Sequence, residues 1–121
     1  MKLVAWLLLA FVVVCGTTVN AWQYHAEGHL DNSATVAQHP SDMHRAESSG
    51  ILIGSVVGNA DFDLYLYKYE KGMWKEVAKA NNDSYSEILF YQSEKDAWYA
   101  WFVVLKSPNT TGGDYSLMLM D

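Results

Sequence analysis

From residue 50 onward the chain is cut into short apolar segments, none of which sustains a helical period. The segments fall at 51–57, 62–70, 74–80, 86–92, 98–106 and 115–120. Gly58-Asn59, Lys71-Gly72, Asn81-Asn82-Asp83 and the polar stretches 93–97 and 107–113 separate them. Strand-length runs with a period of two, punctuated by turn residues, specify an all-β domain. The stretch 22–49 has no such texture. It is rich in His, Ser, Asp, Asn and Ala, and it reads as a loosely structured N-terminal arm.

The first residues read as an address. Met1-Lys2 gives a short positive start, residues 3–14 are an unbroken apolar run, and Val19 and Ala21 are small residues at the −3 and −1 positions of a cut after Ala21. The run falls short of the ~20 apolar residues that a spanning helix needs. The chain is therefore expected to divide into a signal peptide (1–21), a His-containing arm (22–49) and a β domain (50–121). The expected product is secreted and extracellular, with no membrane association after cleavage.

Cleavage takes away Cys15, the one cysteine of the chain, so no disulfide can staple the remainder. It also removes Lys2, which moves the formal charge from −6 to −7. A chain this acidic, with its lysines interleaved with Glu70 and Glu76, offers no basic face for nucleic acid. Its 14% aromatic and 18% charged composition is that of a folded domain rather than a disordered tail.

The segments resemble, in order, the bacterial pre-peptidase C-terminal domain, a module appended to many secreted peptidases. The matching pieces are Ser49-Gly50-Ile51-Leu52-Ile53-Gly54, Asp61-Phe62-Asp63-Leu64-Tyr65-Leu66-Tyr67 and Trp74-Lys75-Glu76-Val77-Ala78. Glu87-Ile88-Leu89-Phe90-Tyr91, Tyr99-Ala100-Trp101-Phe102-Val103 and Gly113-Asp114-Tyr115-Ser116-Leu117 complete the set. The usual Gly before Tyr99 is replaced by Trp98, and no peptidase domain accompanies the module in this sequence. The resemblance implies an antiparallel β-sandwich, jelly-roll-like, and places Leu89, Tyr91, Tyr99, Trp101 and Val103 inward.

Side chains alternate across a strand. With those five inward, Ile88, Phe90, Trp98, Phe102 and Val104 face out, where a sandwich is normally wet. Either the arm folds back over this strip, or Ile88, Phe90, Trp98 and Phe102 form a ligand-binding or homodimer surface. A five-residue loop, 93–97, would join the two strands as a hairpin pairing Gln92 with Trp98, Phe90 with Ala100 and Ile88 with Phe102. Tyr65, Tyr67 and Tyr69 make a second stripe, suited to sugar rings or protein partners and equally to a half-exposed strand face.

Asn59, Asp61 and Asp63 at alternate positions are candidate calcium ligands, because hard cations take oxygen donors. His25, His29, His39 and His44 lie close together in sequence. Their spacing is not that of a zinc helix, and they read as spacer residues or loose ligands for Zn²⁺ or Cu²⁺. Asn82 and Asn109 head glycosylation sequons. The β domain contains no His and no Cys, so no nucleophile there has an imidazole partner. The expected function is a non-catalytic binding module for an extracellular polysaccharide or protein, with calcium as the one candidate cofactor. The alternative is a regulator or inhibitor of a secreted peptidase acting in trans.

Overall fold

The computed structural model describes residues 22–106 and 111–121. These contain eight strands and no helix: β1 (Gln23–Leu30), β2 (Val36–Arg45), β3 (Ile51–Gly58), β4 (Phe62–Glu70), β5 (Met73–Ala80), β6 (Ser86–Gln92), β7 (Trp98–Leu105) and β8 (Gly113–Met120). They form two antiparallel sheets, ordered β1-β8-β3-β6 and β2-β7-β4-β5. The all-β sandwich expectation is borne out.

The arm expectation is corrected. Residues 22–49 supply an edge strand to each sheet, with β1 pairing β8 along its whole length and β2 pairing β7. The crossing between sheets is made at Asp31, whose carboxylate accepts the Ser33 N–H (2.8 Å) and the Ser33 hydroxyl (2.6 Å) in a tight Asx-type turn. Besides Leu30 and the small Ala26 and Ala37, the inward side of β1 and β2 is made of Tyr24, His39 and His44 rather than Val or Ile, which is why the segment lacks a hydrophobic signature. Tyr24 and Tyr115 each hydrogen-bond a nitrogen of His39, at 3.0 and 2.7 Å. Burial lowers the His39 pKa below the usual histidine range. Nearby, His44 donates from Nε2 to Asp121 (2.7 Å) while the Trp22 ring stacks on it at 3.8 Å.

The expected β6–β7 hairpin is also corrected. β6 pairs with β3, and β7 lies between β2 and β4 in the other sheet. The 93–97 connection is a corner, pinned by the Ser93 N–H on Gly50 O (2.7 Å) and by the Glu94 N–H on the Tyr99 hydroxyl (2.9 Å). The assignment of faces nevertheless holds. Leu89, Tyr99, Trp101 and Val103 are buried, while Ile88, Phe90 and Trp98 are exposed. Two strands whose inner faces meet across a sandwich satisfy the same alternation as two strands paired side by side. Tyr91 and Tyr99 meet in that way, edge to face at 6.0 Å.

Phe62, Leu64, Leu66, Trp101 and Val103 of one sheet close on Leu52, Val56, Leu117 and Leu119 of the other, all essentially inaccessible. Gly54 sits under the Trp101 ring, where a Cβ would collide with the ring carbons, so the absence of a side chain makes room for the largest core residue.

Candidate ligand face and carboxylate cluster

The register of the second sheet stacks its outward residues in rows. Phe102 of β7 stands beside Tyr65 of β4, and Tyr65 beside Lys79 of β5. Tyr67 pairs with Ala100 on one side and Glu76 on the other. In the last row Arg45, Trp98, Tyr69 and Trp74 run across all four strands. The sequence stripes on β4 and β7 are thus one surface. Tyr67 meets Phe102 edge to face at 5.1 Å, and Tyr69 meets Trp74 at 5.3 Å. Val36, Tyr65, Tyr67, Phe102 and Val104 line a shallow groove of about 360 Å³. Trp74 and Val36 belong to this surface although no stripe in the sequence marks them. The alternation of β5 and β2 around their register shifts is too weak to show their faces.

Ile88 and Phe90 do not join this face. They stand on β6, at the edge of the first sheet, 45% and 56% exposed. The expected single strip of Ile88, Phe90, Trp98 and Phe102 is therefore divided between opposite sides of the molecule.

At the start of β4 the structure gathers Asp61, Asp63 and Glu87, with one carboxylate oxygen from each within 4.8 Å of the others. Asp63 and Glu87 are buried, at 4% and 2% exposure. One oxygen of each of the three carboxylates is sealed from solvent without a hydrogen-bond partner. Burial, and next the neighbouring Asp61 charge, raise the Asp63 pKa to about 6, against a smaller opposing pull from Lys106. Lys106 is itself tied to Asp83 and to the Asn81 carbonyl. Three hard oxygens facing one another fit a divalent ion, and the orphaned oxygens are the observation behind that fit.

Of the three residues expected to bind calcium, Asp61 and Asp63 are brought together. The Asn59 side-chain oxygen instead accepts the Asp114 N–H (2.8 Å). Glu87, which completes the cluster, comes from β6 and carried no local signal. Asn82 donates from its amide to Glu87 (3.1 Å), so the exposed Asn82 sequon borders the cluster. Asn109 and the leader 1–21 lie outside the described residues. His25 and His29 sit exposed on β1, bonded to Ser116 (3.1 Å) and Asp114 (2.7 Å), whereas His39 and His44 are interior. The four therefore do not form a common group. No helix among the described residues is long and apolar enough to cross a membrane.

Solved structures share this architecture. The pre-peptidase C-terminal domain of a Bacillus anthracis collagenase superposes with a TM-score of 0.63 at 14% identity, over 78% of this chain and 86% of that one. The chain has the pre-peptidase C-terminal fold. A mitogen from Yersinia pseudotuberculosis (TM-score 0.57, 19% identity, 83% of this chain and 84% of that one) shares it too. So does an Aeromonas hydrophila periplasmic inhibitor of g-type lysozyme (TM-score 0.57, 9% identity, 84% and 89%). No protein-family model matches the sequence, and no curated protein matches it. On this fold, the aromatic face lies on the β2-β7-β4-β5 sheet and the carboxylate cluster at the end where β4 begins.

Proposed function

We propose that the chain is an exported, non-catalytic binding module whose ligand, an extracellular polysaccharide or matrix-type protein, lies across the outer face of the β2-β7-β4-β5 sheet. The observation that carries the reading is the gathering of Tyr65, Tyr67, Tyr69, Trp74, Trp98 and Phe102 on one wet sheet face. Flat apolar rings with polar tips suit both sugar rings and peptide chains, and Lys79, Glu76 and Arg45 at the margins supply hydrogen-bonding groups of both signs. Calcium held by Asp61, Asp63 and Glu87 would stiffen the end of β4 from which the tyrosine row starts.

Retention of the protein on insoluble chitin, cellulose and collagen tests the reading, with Tyr67→Ala and Phe102→Ala compared at matched folding. Binding to one of these supports, lost in both variants, is the expected result. A ligand retained equally by both variants would place the site elsewhere. The second reading, regulation of a secreted peptidase in trans, draws support from the sharing of this fold by a collagenase module and a lysozyme inhibitor. It predicts no retention on these polymers and a dose-dependent change in the rate of a secreted peptidase.

A further inference from the structure

A strand at the edge of a sheet presents a row of unpaired N–H and C=O groups, and proteins blunt such edges with charges, prolines and bulges. Three of the four edge strands here are blunted. β2 contains Pro40, a register shift between His39 and His44, and Met43 at φ 67°. β5 has a register shift opposite Leu66 and Tyr67 and carries Lys75, Glu76 and Lys79. β1 presents His25, Glu27 and His29 outward. β6 has none of these devices. Its sequence Ser-Glu-Ile-Leu-Phe-Tyr-Gln holds no Pro, Gly or Lys, its ladder with β3 runs without a shift, and its one charge, Glu87, turns into the carboxylate cluster.

The hydrogen-bond phase of β6 can be read from the ends of its ladder. The Ser93 N–H bonds Gly50 O (2.7 Å), and the Gly58 N–H bonds Tyr85 O (3.0 Å). Bonded and unbonded pairs alternate along an antiparallel ladder, so Glu87, Leu89 and Tyr91 aim their backbone groups at β3. Ser86, Ile88, Phe90 and Gln92 aim theirs at the open side, where no other described strand pairs with them.

We propose that the open edge of β6 is a self-association site, pairing antiparallel with β6 of a second copy about a two-fold axis through Leu89. That register sets Ile88 opposite Phe90 of the second copy and Ser86 opposite its Gln92, and the reciprocal pairs complete the set. Apart from the Ser86 N–H, which already donates to the Ser84 hydroxyl oxygen (3.2 Å), every outward N–H and C=O of the strand is then used, because the residues that face each other are those whose groups point outward. On the outer face the side-chain pair is Ile against Phe, a favourable cross-strand combination. Glu87 falls opposite Tyr91 of the second copy, so two acidic chains meet without opposing carboxylates. The two four-stranded sheets become one continuous sheet of β1-β8-β3-β6 and its symmetry mate, which is an isologous contact and closes at the dimer.

Sedimentation equilibrium of the full chain tests the proposal, with Phe90→Pro, Ile88→Lys and Ile51→Lys alongside it. Proline at 90 deletes an N–H that the β3 ladder does not use, and lysine at 88 places a charge on the edge. Ile51, 47% exposed on β3, reports instead on packing of the sheet face. The expected result is a dimer weakened by roughly tenfold or more in Phe90→Pro and Ile88→Lys and unchanged in Ile51→Lys. Amide exchange at Ile88 and Phe90 should slow as concentration rises, while Leu89 and Tyr91 stay protected throughout. A chain monomeric at all concentrations would overturn the proposal, as would a dimer that survives Ile88→Lys or one dispersed by Ile51→Lys alone. Should Phe90→Pro fail to fold, Ile88→Lys with the exchange pattern decides.

Discussion

Replacing Asp63 with asparagine should stabilise the protein in chelator and abolish its response to calcium. Proton linkage sets the size and the sign of the effect. The Asp63 carboxyl is raised from 3.8 to about 6 by burial and by Asp61. The folded state therefore holds its proton more tightly than the unfolded chain, and this site's contribution is fully present below about pH 4 and lost as pH rises through 6. A difference of about 2 units corresponds to a penalty of roughly 3 kcal/mol at pH 7.5 in the absence of a cation. The substituted side chain carries no charge, and its amide can donate to the partnerless oxygens of Asp61 and Glu87. Urea denaturation at pH 7.5 in EDTA should therefore find Asp63→Asn the more stable protein by about 1–3 kcal/mol. At roughly 4–8 °C per kcal/mol for a domain of this size, the melting temperature should rise visibly. With saturating calcium the order should reverse, since a ligand bound only by the folded state at a thousand times its dissociation constant adds about 4.1 kcal/mol. The gap in EDTA should also shrink as pH is lowered from 7 to 4. An Asp63→Asn protein that is less stable in EDTA at pH 7.5, or a gap that does not depend on pH, would rule out a strained Asp63 charge.

Gly54→Ala should destabilise by about 1–3 kcal/mol through overpacking, because the new Cβ meets the Trp101 ring; a denaturation midpoint equal to that of the parent would show that the ring can retreat. His39 is held neutral between Tyr24 of β1 and Tyr115 of β8, with its pKa lowered by burial. Its folded state binds fewer protons than the unfolded chain, so its contribution is present above about 6.5 and lost as pH falls below that value. Asp63 works in the opposite direction over an overlapping range, so the parent alone gives a flattened profile. Comparing urea midpoints of the parent and His39→Gln between pH 7.5 and 5 isolates the histidine, and the variant should lose less stability on acidification.

The six later strands were legible in the sequence because each is a short apolar-rich run bounded by turn residues, as Phe62-Asp63-Leu64-Tyr65-Leu66-Tyr67 is before Lys71-Gly72. The first two were not. β1 and β2 bury Tyr24, His39 and His44, whose burial depends on hydrogen bonds to Tyr115 and Asp121 near the opposite end of the chain. A polar side chain looks like a loop residue until its distant partner is known. Strand partnership was illegible for a different reason. Alternation says which side chains share a face, but Tyr91 and Tyr99 can meet either as ladder neighbours or across the sandwich, and the period is the same in both.

The same distinction explains which parts of the site could be read. Tyr65, Tyr67 and Tyr69 were visible as a stripe because a single strand displays them, and Phe102 and Trp98 because a second strand does. Their fusion into one face required β4 and β7 to be neighbours, a fact of topology. Asp61 and Asp63 were visible from local spacing, whereas Glu87 belongs to the other sheet, and its neighbours Ser86 and Ile88 give it the look of an ordinary edge charge. Burial turns that residue from an unremarkable surface glutamate into the third oxygen donor of a cluster. It also removes from β6 the charge that would otherwise have guarded its edge. The carboxylate cluster and the open edge are in this sense two consequences of one side-chain direction. Glu87 faces the cluster because odd-numbered residues of β6 face inward, and the same phase leaves Ile88 and Phe90 apolar and outward on a strand with no described partner on its far side.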